Sequence, residues 1–421
     1  MKNNDLKQIA DKLNNSPLFQ LSLCSKELAH SNFWKWLIEF NTGDEEHPCH
    51  PFVKIFIPDF YDNEYEFEEV RREEKHRDLS IHYKDKEGNF RCFVVENKLK
   101  SLPTTEQLTK YEKDFKPTFK NEIFAGGILT GIEDNLLKQK CLKNWKFLSY
   151  EKISEKIKDI RESLKPCTDD DEKQKNTLRI LDIIDMYQSD LHNISELLTV
   201  SLQEAQGKYI TKVKDRELQD VRMDDIFLKL HAERVAQEIK EKLATEKEEL
   251  TSARWGMPEV DVSFNHKKAT ITIIYKEQDY DEHGKPQKEI GRLGVQLEGN
   301  QFRIYGGPSN SNAKLKEAEI LAKEFEEKKW FEQVCDSKLC GKTTKMRLKN
   351  GSIDFCKYET RDYTHLYQHW DIEDWIRVSE RSADKINDEV ECSVDEIYSE
   401  IKETLKNAKI IIDNDENFTF K

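Results

Sequence analysis

The sequence predicts an α/β N-terminal region built as a mixed sheet flanked by helices, then a helical connector and a C-terminal α+β domain. Three observations predict this. Up to about residue 165, helical and strand patterns follow the order helix, three strands, helix, strand, strand, helix. A sheet covered by helices is the layered solution to that order. Glu172 to Leu250 keeps helical period almost throughout, and strand patterns return only after it. The expected domains are therefore 1–165, 166–250 and 251–421. A chain of 421 residues exceeds what one core usually supports.

Taken in order, Ser25 to Phe40 reads as an amphipathic helix, with Leu28, Trp34, Leu37 and Ile38 as its apolar stripe. Gly43 and Pro48 break it before the apolar run Phe52 to Ile57. Tyr65 to Arg71 reads as a strand. Leu79 to Tyr83 alternates apolar and polar residues, Lys86 to Asn89 is a turn, and Phe90 to Glu96 returns as a second strand, so the pair forms a hairpin. Pro103 and Thr104 open a helix to about Phe115, with Thr104 as N-cap and Glu106 in the first turn. Ile123 to Leu129 suits a buried strand. Trp145 to Tyr150 is a short strand, and Ile153 to Leu164 a helix. In the connector, Leu178, Leu181 and Ile184 give one stripe and Ile226, Phe227 and Leu230 another. Val260 to Tyr275 and Leu293 to Tyr305 read as two hairpins, Lys314 to Phe331 as a helix, and Asp395 to Ile412 as a C-terminal helix. No internal repeat is visible.

Composition narrows the class. Apolar residues make up 37%, charged residues 36% and aromatics 10%, which suits a polar but folded protein. A net charge of -14 argues against tight non-specific nucleic-acid binding by the whole chain, and leaves room for a local basic groove. No run reaches the about 18 apolar residues of a membrane span, and Met1 to Asn15 lacks a secretory apolar core. The nine scattered cysteines read as reduced thiols, so a cytoplasmic location is expected. Cys335 with Cys340 lacks a second pair for zinc. His47, Cys49 and His50 beside Pro48 form a further small cluster; both groups read as loop residues before zinc ligands.

The stretch that carries chemistry contains Arg72, Glu73, Asp78, Glu96, Asn97, Lys98, Gln107 and Tyr111. Phosphodiester hydrolysis with Mg²⁺ needs hard oxygen ligands, typically one or two carboxylates with water and substrate phosphate. A lysine nearby orients the attacking water and offsets charge on the transition state. The hairpin supplies these groups: Asp78 starts one strand and Glu96 ends its partner. Glu96 and Lys98, two apart, project to one face, with Asn97 on the other. A lone Glu-X-Lys is more often a solvated ion pair; the ordered set is what singles it out.

That ordered set resembles the PD-(D/E)XK nuclease superfamily, closest to bacterial families with a Gln-xxx-Tyr helix after the catalytic strand, over roughly residues 20 to 160. The matching residues are Asp78 for the hairpin aspartate, Glu96-Asn97-Lys98 for the (D/E)XK element, Gln107 and Tyr111 for the helix, and Glu27 for the acidic position of the first core helix. The resemblance implies a restriction-endonuclease-like fold. It implies metal ligands Glu27, Asp78 and Glu96, catalytic residues Asp78, Glu96, Lys98, Gln107 and Tyr111, and Mg²⁺ or Mn²⁺ as cofactor. His30, three residues after Glu27, reads either as a phosphate contact or as core packing. Arg77 stands where the family motif has proline, and the literal Pro58-Asp59 reads as a turn. Lys98, Lys100, Lys110, Lys113, Lys116 and Lys120 form either a phosphate track or a solvated helix face.

The expected function is a metal-dependent nuclease acting on DNA in preference to RNA, in bacterial defence or repair by family association. The alternatives are a catalytically inactive binding or regulatory module on the same fold, and a nuclease gated by a ligand-sensing C-terminal domain. Homo-oligomerisation through the connector or C-terminal domain, and no membrane partner, complete the expectations.

Overall fold

A computed structural model of the chain describes residues 2–16, 18–19, 27–43, 48–74, 77–98, 108–111, 123–132, 144–164, 171–213, 215–265, 268–280, 286–299, 301–308, 348–349, 352–353, 356–357, 364–371, 392–415 and 418. The chain divides into two compact units, Met1–Glu204 with Lys214–Phe227, and Ala205–Val213 with Leu228–Lys421.

The first unit holds a five-stranded sheet in sequence order: β1 (Glu66–Arg72), β2 (Leu79–Lys84), β3 (Phe90–Lys98), β4 (Ile123–Thr130) and β5 (Trp145–Ser149). β1, β2 and β3 are antiparallel, whereas β3, β4 and β5 run parallel. This is the mixed sheet flanked by helices that the sequence predicts. Its helices include α1 (Lys2–Asn15), α2 (Glu27–Glu39), α3 (Tyr150–Ser163) and α4 (Asp171–Glu204). α4 packs on α1 and α3. Leu181, Ile184, Tyr187, Leu191 and Ile194 form its buried stripe, while Leu178 is exposed. On α2, Trp34, Leu37 and Ile38 are fully buried, as the helical period requires.

Several boundaries move for local reasons. Phe52 to Ile57 is mostly a 3₁₀ helix, Pro51–Ile55, opened by a proline whose φ suits a first helical position. α3 begins at Tyr150, three residues before the first apolar-periodic residue, because the Ser149 side chain accepts a hydrogen bond from the Lys152 N–H and caps it. β3 continues to Lys98 because Asn97 and Lys98 pair with Leu129 and Thr130 of β4.

The second unit is built on an antiparallel sheet. β6 (Glu259–Asn265), β7 (Lys268–Tyr280), β8 (Pro286–Glu298), β9 (Gln301–Pro308) and β10 (Thr364–Asp371) follow one another, with the short strand Cys356–Lys357 beyond β10. The two expected hairpins are thus joined by pairing of β7 with β8. Ile271, Ile273, Leu293, Val295, Leu297 and Ile304 share one core with Val235 and Ile239 of α5 (Asp224–Thr245) and with Ile397, Ile401 and Leu405 of α6 (Val394–Asn414). On the other face Arg303 Nη1 donates to Gln296 Oε1 (2.9 Å) and Glu298 Oε2 (2.8 Å), so the buried guanidinium is matched by acceptors. α6 starts with a capping box between Ser393 and Glu396. The expected helix Lys314 to Phe331 lies outside the described residues.

Candidate active site

The β2–β3 hairpin positions the acidic pair. At its closed end Asp85 Oδ1 accepts from the N–H groups of Glu87 (3.1 Å) and Asn89 (2.9 Å), and Gly88 takes φ +78°. Arg91 clamps Asp85 with two hydrogen bonds, of 3.0 and 2.8 Å. This turn holds the register Leu79↔Val95, which sets Asp78 level with Glu96 at the open end.

Strand alternation then separates two sets of side chains. Cys92 and Val94 pack with Leu108, Tyr111, Ile128 and Trp145 on one face of the sheet. Glu96 continues that row. It is 2% exposed, forms an ion pair of 2.7 Å with the half-buried Lys98, and its Oε1 accepts from the Tyr111 hydroxyl at 3.4 Å. Burial pushes the Glu96 carboxyl up to about 7. The Lys98 charge opposes that shift, and the nearby Asp78 charge adds to it. On the opposite face Phe93 lies beside Phe56, and Asn97 is fully buried, accepting a hydrogen bond of 2.9 Å from the Tyr150 hydroxyl at its Oδ1. The Asn97 backbone N–H donates to Asp78 Oδ2 at 2.7 Å.

The structure therefore brings Asp78, Glu96, Lys98 and Tyr111 together. Gln107 lies outside the described residues, as does the side chain of Glu27, whose backbone opens α2. Lys110 is exposed, and Lys100, Lys113, Lys116 and Lys120 lie outside the described residues. His30 is buried, shares a 2.7 Å hydrogen bond with Tyr187 through Nδ1, and stands 5.5 Å from the Tyr150 ring, centroid to centroid. Burial lowers its pKa to about 4, so it is a neutral core histidine at physiological pH. Arg72 reaches Asn32 on α2 and Glu73, and Glu73 takes φ +53° in the loop that its N–H closes onto the Asp78 carbonyl. Asp59 is an exposed turn residue whose carbonyl accepts from the Asn63 N–H.

Sequence reasoning missed the structural part of Asn97 and Tyr150. The available signal was an amide between two site residues on an otherwise apolar strand face.

Among the described residues, no group of three or more His, Cys, Asp or Glu side chains is placed to hold a metal. Cys49 instead lies 3.7 Å from the Tyr61 hydroxyl, which also accepts from the His50 N–H. His47, Cys335 and Cys340 lie outside the described residues. What the hairpin does offer is two oxygen donors close enough for one charge to raise the other's pKa. That donor set fits a hard divalent cation, which takes one or two carboxylates and fills its shell with water and phosphate.

No curated protein and no solved structure matches the chain significantly. No helix of the described residues is long and apolar enough to cross a membrane. The five-stranded mixed sheet with Asp78 and Glu96 at one hairpin end is a restriction-endonuclease-like arrangement, and the family model whose span includes it, matching residues 18–181, is that of the PD-(D/E)XK nuclease superfamily.

Proposed function

We propose that the first unit is a divalent-metal-dependent nuclease that hydrolyses phosphodiester bonds, in DNA rather than RNA, with Mg²⁺ or Mn²⁺. The observation that carries this reading is the convergence of Asp78, Glu96 and Lys98 at the open end of one hairpin. Asp78 and Glu96 are the proposed metal ligands, with Glu27 as a third from α2. The bound cation would polarise the phosphate and lower the pKa of the attacking water. Lys98 would orient that water and offset charge gathering on the phosphate oxygens. Tyr111, hydrogen-bonded to Glu96, would hold the carboxylate in place, and Gln107, four residues earlier in the sequence, would contact substrate. The nine cysteines, scattered along the sequence, suit a reducing, cytoplasmic setting. Restriction, repair or anti-phage defence in a bacterium is the proposed context, and the C-terminal unit the proposed element of recognition, sensing or self-association.

The test is incubation of the full chain with plasmid, linear DNA and RNA in Mg²⁺, Mn²⁺ or EDTA. Cleavage of DNA with either metal and none in EDTA is expected. Lys98→Ala should abolish cleavage while Mn²⁺ still binds, and Asp78→Ala and Glu96→Ala should lose both. Asp59→Ala should cleave as wild type. An inactive Asp59→Ala beside an active Asp78→Ala would move the site elsewhere. Wild-type behaviour from every variant in an active preparation would dismiss it.

A further inference from the structure

A buried hydroxyl on the face of the sheet away from Glu96 is tied to the acidic pair through a single residue. Tyr150 is the first residue of α3 and is fully buried. Its ring stands beside His30, whose Nδ1 is held by Tyr187, so three elements fix where the phenol points. Its hydroxyl donates to Asn97 Oδ1 at 2.9 Å. Asn97 is the central residue of Glu96-Asn97-Lys98, and its own N–H donates to Asp78 Oδ2 at 2.7 Å.

The ladder explains why that N–H is available to Asp78. β2 and β3 pair up to Leu79↔Val95, and in the antiparallel continuation the β2 side of Asn97 would meet backbone beyond Asp78. The chain turns away there, into the loop ending at Glu73, and the Asp78 carboxylate takes the place of that backbone acceptor. The orientation of Asp78 therefore depends on where the Asn97 peptide sits. β4 holds that peptide on one side, through Asn97↔Leu129, and the Tyr150–Asn97 bond holds it from below the sheet.

We propose that Tyr150 is a positioning residue for the metal ligand Asp78, acting through the side chain and N–H of Asn97. The inference rests on the proposed metal site, and deepens it by adding residues that touch neither cation nor substrate. Residues that hydrogen-bond behind metal ligands typically change metal affinity by about 10–100-fold when altered.

The test is Mn²⁺ binding to the full-length chain, followed by electron paramagnetic resonance without nucleic acid, on wild type, Tyr150→Phe, Asn97→Ala and Asp78→Ala. Tyr150→Phe removes one oxygen and keeps the ring packed on His30. Its Mn²⁺ affinity should fall about tenfold while its circular dichroism stays that of wild type. Asn97→Ala should show a fall at least as large, and the double variant should fall no further than Asn97→Ala, because the two residues act in series. A purely structural role would lower the melting temperature and leave the affinity of the folded chain unchanged. Asp78-dependent binding that either folded single variant leaves at the wild-type value overturns the positioning role alone. Binding that Asp78→Ala does not weaken overturns the metal site itself.

Discussion

At the scale of single residues, Glu96 carries opposed demands. It sits at the end of an apolar strand face, where burial disfavours its charge, yet the role of cation ligand proposed for it requires the ionised form. Lys98 at 2.7 Å and the Tyr111 hydroxyl favour the charge, and the balance falls at about 7. With Glu96 as the proposed ligand, proton and metal would compete for one carboxylate near neutral pH. Below about 7 the carboxyl is protonated and binding must displace that proton; above it the competition disappears. Mn²⁺ affinity should therefore rise by up to about tenfold per unit as pH increases towards 7 and level off by pH 8. Glu96→Gln should bind more weakly and without this rise. Titrations at pH 6, 7 and 8 check it, and a wild-type affinity that is flat across them would show that Glu96 is not a ligand.

At the scale of elements, β4 decides how closely the sheet can pack behind the acidic pair. A Cβ on Gly126 would lie 2.5 Å from Cε3 of Trp145, its partner on β5. Trp145 packs with Tyr111 in the same small core, and Tyr111 reaches Glu96. Gly126→Ala should thus push the indole towards Tyr111. Overpacking of this kind costs about 1–3 kcal/mol. Thermal melts should show a lower Tm, with weaker Mn²⁺ binding, and Trp145→Leu in the same chain should recover part of both. A Gly126→Ala chain with wild-type Tm and metal binding would show that the indole has room to move. Such contacts mark the limit of what patterns reveal. The hairpin was legible because Leu79, Ile81 and Tyr83 alternate and Lys86 to Asn89 spells a turn. The end of β3 was not, since Asn97 and Lys98 continue no apolar run, and it is their pairing with β4 that carries the strand to Lys98. Pairing of β7 with β8 was hidden by the polar run from Lys276 to Gln278, part of the register that joins the two strands. The Asn97–Tyr150 bond spans 53 residues, beyond any local period. The proximity of Asp78 to Glu96, by contrast, follows from hairpin register alone and could be argued before any coordinates.

At the scale of the whole molecule, two compact units with separate cores should not unfold as one two-state system. Calorimetry is expected to resolve two transitions, and Asp190 provides a label for one of them. It lies on α4 in the first unit, 4% exposed, accepting from Ser16 Oγ at 2.8 Å. Burial raises its pKa to about 6, with the Ser16 hydrogen bond pulling the other way. A carboxyl whose folded pKa lies above its unfolded value, about 3.9, stabilises fully only below that unfolded value. The contribution is lost as pH rises through about 6, because the folded state must then hold a buried charge. Asp190→Asn removes the charge and keeps an oxygen for Ser16. One transition, that of the first unit, should shift to higher temperature than in wild type at pH 8. The gap should narrow at pH 6 and again at pH 4.5, and the other transition should not move. A gap independent of pH would mean that Asp190 ionises in the fold without cost. A shift in both transitions at once would mean that the two units unfold together.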